Sequence, residues 1–222
     1  MLNSRIAIGK HVPLAAYAGE RVYMQPFMQK EGLPKNLTRW QNTVDAMLDG
    51  IETSLPIYLM IDQGIVEPNT YHRRSGLHVD GFWCAGHEHD RHNRISTHGG
   101  SGHVSTSIRP SHGGGGHSTK ASHDNHRPTK HGGGGAKETL LLVSNRVGCV
   151  GYEGTFEHPE WKMGDRSAID VSKFKKVVFE PHRVYGGDTM SMLHESIPIG
   201  QKCERTVVRL NVPGVSLWEN IH

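Results

Sequence analysis

The sequence predicts a mainly β domain with one flanking helix and a long Gly/His-rich insertion, and three observations carry that reading. Several segments alternate apolar and polar residues with a period of two. One segment near residue 40 repeats its apolar residues every three to four positions, and the composition changes abruptly at Gly86. With 222 residues the chain is long enough for one domain with a good core. A single domain over 1–222 is expected, with a strand-and-helix preface at 1–54, a β body at 55–85 and 138–213, and the insertion at 86–137.

In chain order, Gly19 to Met28 alternates well enough to form an early strand. Leu37, Trp40, Val44, Met47, Leu48 and Ile51 then give an amphipathic helix that begins near Asn36 or Thr38 and ends near Gly50. Such a stripe is the ordinary way for a helix to dock on a core. Leu55 to Asp62 reads as a buried strand, Pro68-Asn69 as a turn, and Thr70 to Asp80 as the next strand.

From Gly86 to Gly135 the chain holds ten of its 17 histidines, two runs of four glycines and few large apolar residues. Such a segment cannot bury enough surface to offset its ordering entropy, so a flexible insertion is expected. Loop-closure entropy grows slowly with length, which makes an insertion of this size tolerable. His87, His89 and His92 lie close together. No cysteine accompanies them and no fixed spacing recurs, so a preorganised structural zinc site is not expected; a solvated, dispensable or substrate-tethering loop is the first reading, weak metal capture the second and a specific site the last.

Beyond it, Glu138 to Asn145, Val147 to Gly154 and Lys175 to Glu180 read as strands, while Asp165 to Lys176 fits either a helical turn or a loop. Gly186-Gly187 suggests a tight turn before a short apolar strand that ends at His194, and Pro198 stops that run. Arg205 to Val212 alternates cleanly, placing Arg205, Val207, Arg209 and Asn211 on one face.

The chemistry concentrates in two of these segments. In Leu77-His78-Val79-Asp80 the polar side chains share one face of an extended chain. An imidazole and a carboxylate so placed can bind one octahedral ion, and a second imidazole would complete a two-His-one-carboxylate facial triad of the kind that binds Fe(II) with open positions. His194 is the candidate for it. His158 and His182 sit in loop-like settings beside prolines, and His72 is a surface or supporting histidine by its position, so all three rank below His194. Two arginines on one strand face are costly inside a β body unless an anion meets them. A dicarboxylate would do so, because a guanidinium fork matches a carboxylate in a bidentate way. Tyr58, Trp83, Tyr185 and Asn211 are candidates for the surrounding pocket, with plain packing the commoner role for such residues.

His-x-Asp at 78–80, a distal His194, and arginines 11 and 15 residues beyond it form a pattern that resembles the Fe(II)- and 2-oxoglutarate-dependent dioxygenases. The spacing is similar to the taurine dioxygenase and phytanoyl-CoA hydroxylase groups, and Leu193-His194-Glu195-Ser196-Ile197-Pro198 to the prolyl hydroxylase type. The resemblance spans roughly 55 to 213. It implies a double-stranded β-helix (jelly-roll) barrel, His78, Asp80 and His194 as iron ligands, and Arg205 or Arg209 as the holder of the 2-oxoglutarate distal carboxylate. It also implies decarboxylation of 2-oxoglutarate to succinate coupled to hydroxylation of a substrate that the sequence does not identify. Two readings of other classes stand beside it: a cupin-like metal enzyme of non-oxidative chemistry, and a jelly-roll structural or virion protein whose arginines serve an interface.

A net charge of +3 is too small to argue for nucleic-acid binding. Cys84, Cys149 and Cys203 are odd in number and lack CxxC spacing, which favours reduced thiols in a cytosol. No apolar run approaches the roughly 20 residues of a membrane span, and residues 1–9 lack a signal-peptide core, so a cytoplasmic protein is expected.

Overall fold

The computed structural model describes residues 1–81, 137–157 and 166–218. The predicted insertion at 86–137 falls outside these apart from Lys137, as do Trp83 and His158. Among the described residues the strands are β1 (Leu2–Ser4), β2 (Ala7–His11), β3 (Arg21–Phe27), β4 (Ile57–Val66), β5 (Glu138–Ser144), β6 (Cys149–Phe156), β7 (Lys175–Val178), β8 (Arg183–Asp188), β9 (Leu193–Ser196) and β10 (Cys203–Pro213). One short helix, α1 (Gln41–Met47), accompanies them. The fold is therefore mainly β, as expected, with no helix among the described residues long and apolar enough to cross a membrane.

The strands form two antiparallel sheets. The larger runs β2-β8-β5-β10-β4-β3, and in the smaller one β6 pairs with β1, β7 and β9. The long β10 sits between β4 and β5, with Arg209 opposite Met60 on one side and Leu142 on the other. Both faces of the larger sheet are covered. On one face Leu59, Ile61, Leu141, Val143, Val208, Leu210 and Val212 share a core with Leu37, Trp40, Val44 and Met47 from the helical segment. On the other, Leu140 and Tyr185 meet Cys149 and Val177 of the smaller sheet. This double coverage explains why β4 is buried at nearly every position while its side chains still alternate between two cores.

Three expectations need correcting. The predicted helix is shorter and begins as a 3-10 segment, Lys35–Trp40, after Pro34, before continuing as α1. Its apolar stripe is buried as expected, and Gly50 takes the left-handed conformation just beyond it (φ 73°). Thr70 to Asp80 is no continuous strand: its strand-like pairing is confined to isolated bridges at Thr70, Ser75 and His78, with Gly76 at φ 86° turning the chain between the last two. Gly186-Gly187 is no tight turn either. Both glycines lie inside β8, and the turn comes at Asp188, whose carbonyl accepts the Ser191 and Met192 amides.

Close packing is the reason for glycine at this point. A Cβ on Gly187 would stand 2.8 Å from Met192 Cβ and 2.9 Å from the Arg5 carbonyl oxygen. Gly187→Ala is thus expected to destabilise the fold by about 1–3 kcal/mol through overpacking, measurable as a lowered midpoint in urea at unchanged slope. A wild-type midpoint would show that the backbone here yields more easily than its contacts imply.

Candidate metal centre

His78 and His194 are brought together by the backbone. Each donates its main-chain N–H to the other's carbonyl at 3.0 Å, forming an isolated antiparallel bridge. Residues directly opposite in such a pair place their side chains on the same side. The two imidazoles accordingly lie with ring centroids 4.4 Å apart, tilted by 57°. β9 continues through His194 to Ser196, beyond the strand end expected from the sequence, because it also pairs along β6, with Gly151 opposite His194.

Each imidazole is also held by its own chain. His78 Nδ1 lies 2.7 Å from the Gly76 carbonyl oxygen and His194 Nδ1 lies 3.0 Å from that of Met192. A carbonyl can only accept, so both Nδ1 atoms carry a proton, which leaves Nε2 as the atom through which each ring would bind an ion. Fixing the tautomer in this way is what metal-binding histidines require of their surroundings. Burial, with the neighbouring His194 second, lowers the His78 pKa to about 4, so this ring is neutral across the physiological range.

Asp80 reaches the same point from two residues beyond His78, while Leu77 and Val79 turn the other way into a separate apolar core. Its carboxylate divides its work. Oδ1 accepts from Arg209 Nη1 at 2.9 Å, and Oδ2 faces His194 Nε2 at 3.4 Å. Burial alone would favour the protonated acid, but the Arg209 guanidinium foremost holds Asp80 well below the usual carboxylate range. Arg209 is itself oriented, since its Nε donates to Asn211 Oδ1 at 2.8 Å and Asn211 Nδ2 donates to the buried Glu138. A line of buried polar groups thus runs from Asp80 to Glu138 on β5.

The ligand atoms of His78, Asp80 and His194 all lie within 4.8 Å of one another. Small side-chain rotations suffice to bring all three to one ion at the usual 2.0–2.2 Å or so. Two imidazoles and one carboxylate are the donor set of a first-row divalent metal. Cys149 also lines the site, where burial pushes its thiol up to about 12.

The triad opens into a cavity lined by residues of both sheets. Met60, Leu142 and Val207 supply apolar wall, and Arg73, Arg74, Arg205 and Arg209 bring positive charge. Arg205 is 2 % exposed; its Nε donates to Ser144 Oγ at 3.2 Å, while Nη1 is buried with no hydrogen-bond partner. Arg209 Nη2 is likewise bare. Leaving such donors unsatisfied away from water costs about 1–3 kcal/mol each, more for a charged group. An anion is the chemical complement of that arrangement.

The remaining expectations divide. Asn211 joins the site only through Arg209, whereas Tyr58 packs beside Met60 and Val207 near the cavity. Tyr185 stacks on Phe179 with centroids 4.2 Å apart and its hydroxyl serves the backbone at Val178 and Glu180, so it belongs to packing. His182 occupies a turn (φ 62°) bonded to Ser144 and Val12, and His72 packs beside Asp62 and Gly64, so neither lines the cavity. Sequence reasoning missed Glu138, whose role depends on a partner 73 residues away, and Arg73-Arg74, which adjoin the His-x-Asp segment and could have been noticed there.

Compared with protein-family models, with curated proteins and with solved structures, the chain gives no match, so the case for its chemistry rests on these residues.

Proposed function

We propose that the protein is an Fe(II)- and 2-oxoglutarate-dependent oxygenase, that its two sheets are the walls of a double-stranded β-helix barrel, and that it hydroxylates a substrate held in the cavity. The observation that carries this reading is the juxtaposition of a ligand triad with a separate, buried and incompletely satisfied guanidinium at Arg205. His78, Asp80 and His194 would hold the iron, which when bound with its co-substrate supplies the oxidising power for C–H hydroxylation.

The chain's own residues have distinct parts. The Gly76 and Met192 carbonyls fix the ligand tautomers. Arg209 favours the ionised form of Asp80 and commits its Nη1 to that carboxylate, which makes Arg205 the preferred of the two candidates for the co-substrate. Arg205 would take the distal carboxylate of 2-oxoglutarate, its bare Nη1 supplying a charge-assisted bond in a site largely closed to water. Met60, Leu142 and Val207 provide the apolar wall beside it.

The test is anaerobic titration of metal-free protein with Fe(II), then 2-oxoglutarate, following the weak visible charge-transfer absorption, with succinate release measured on admitting O2. The band is expected only when both are present, and is expected to disappear in Asp80→Ala and weaken strongly in Arg205→Ala. Iron bound at the triad with no band at any 2-oxoglutarate concentration would favour the cupin-like, non-oxidative reading. No iron at the triad would leave a scaffold protein.

A further inference from the structure

The charges around the cavity do not balance. Among the described lining residues four are arginines and Asp80 is the carboxylate. Asp80 is committed to Arg209. Arg73 is matched from outside the lining by Asp62, with Nη1 2.7 Å from Oδ2. Burial opposes the charge of Asp62, but His72 beside it and the hydrogen-bonded Arg73 outweigh this and hold its pKa below the usual carboxylate range. Arg205 and Arg74 remain without a carboxylate partner among the described residues.

A divalent metal and a dicarboxylate co-substrate bring equal and opposite charge, so filling both places leaves the surplus of two positive charges intact. Arg205 would be satisfied by the co-substrate, but Arg74 would not. It comes from a different part of the chain, the segment leading into His78, and lies close enough to that imidazole for its charge to be felt there. Arg73 beside it is tied down by Asp62, which also draws Arg21 Nε to 3.6 Å and His72 Nε2 to 3.6 Å. The backbone before Arg74 is therefore anchored, while the Arg74 side chain, half-buried on the cavity wall, has no ion-pair partner among the described residues. An unpaired guanidinium in a partly dry cavity is an unfavourable state that an anion relieves.

We propose that Arg74, with Arg73 adjoining it, forms an anion subsite separate from Arg205 and receives a carboxylate or phosphate group of the primary substrate, so that the substrate is a small acid and not a neutral molecule. The identity of the reaction rests on the oxygenase reading, but the subsite itself does not. A guanidinium accepts either group in a bidentate geometry, and anchoring the anion fixes which substrate carbon lies near the triad.

The experiment is isothermal titration of the full-length protein with methyl phosphate and with butyrate. It is done first on metal-free protein and again on protein loaded anaerobically with Fe(II) and saturated with 2-oxoglutarate. At least one probe is expected to bind in both states; preference for methyl phosphate identifies phosphate esters as the substrate class, and preference for butyrate identifies carboxylic acids. Arg74→Gln is expected to weaken that binding at least tenfold with the Fe(II)/2-oxoglutarate charge-transfer band retained, and Arg74→Lys to restore part of it. Arg205→Met is expected to do the reverse, losing the band and retaining the probe. Failure of both probes to bind the saturated protein, or binding by Arg74→Gln equal to wild type, overturns the proposal. A band that never forms, beside Arg74-dependent binding in metal-free protein, would instead sink the oxygenase reading and leave the subsite standing.

Discussion

Asp80→Ala is expected to abolish metal binding and, separately, to cost the metal-free fold about 3–5 kcal/mol, because it leaves the Arg209 guanidinium buried without its carboxylate. His78→Ala removes a ligand equally but takes away a neutral ring whose one hydrogen bond is to the Gly76 carbonyl, so its cost to the metal-free fold is expected to stay near 1–3 kcal/mol. Urea unfolding of the two metal-free variants separates ligand loss from charge orphaning. Adding Arg209→Met to Asp80→Ala should return part of the lost stability and none of the metal binding, since the unpaired charge goes with the arginine. Recovery would be incomplete, because Asn211 Oδ1 loses its donor. Equal stability of the Asp80→Ala and His78→Ala proteins would mean that Arg209 finds water or another acceptor, and that the polar line to β5 contributes little.

The same contrast shows what could be read from the chain alone. Period-two alternation identified β10 and the facing of Arg205 and Arg209, because that strand presents two different environments along its length. It also put His78 and Asp80 on one side correctly, although they lie on an extended segment held by bridges and not in a strand. Alternation needs only a straight backbone, and a segment without a full ladder can have one. β8 was misread because Gly186 and Gly187 carry a strong turn signal, whereas here they answer to a neighbour, Met192, that the local sequence does not reveal as a contact. The division of labour between the two arginines was equally out of reach. Arg209 meets Asp80 across 129 residues of chain, and spacing from His194 could rank neither arginine above the other.

Arg205 offers the sharper functional test because its stability and activity effects should have opposite signs. The guanidinium is buried, bonded at Nε to Ser144 and bare at Nη1, and burial pulls its pKa down without discharging it. Replacing it with methionine removes a poorly satisfied charge from an apolar setting and nearly conserves the stem, so Arg205→Met is expected to be as stable as wild type or more stable by roughly 1–2 kcal/mol. Co-substrate affinity should fall by about two orders of magnitude or more, since the truncated partner of a buried charge pair typically costs some 2–5 kcal/mol. Gly148 provides an independent route to the same residue. A Cβ there would stand 2.6 Å from Arg205 Cζ and 2.7 Å from Ile199 Cδ1, so Gly148→Ala must displace the guanidinium or the isoleucine. It should weaken 2-oxoglutarate binding with the triad and the charge on residue 205 both intact. A protein that loses stability in Arg205→Met and binds 2-oxoglutarate normally in both variants would make Arg205 a structural charge. Unchanged stability with weakened binding in both would mark it as a group held in the core for its ligand.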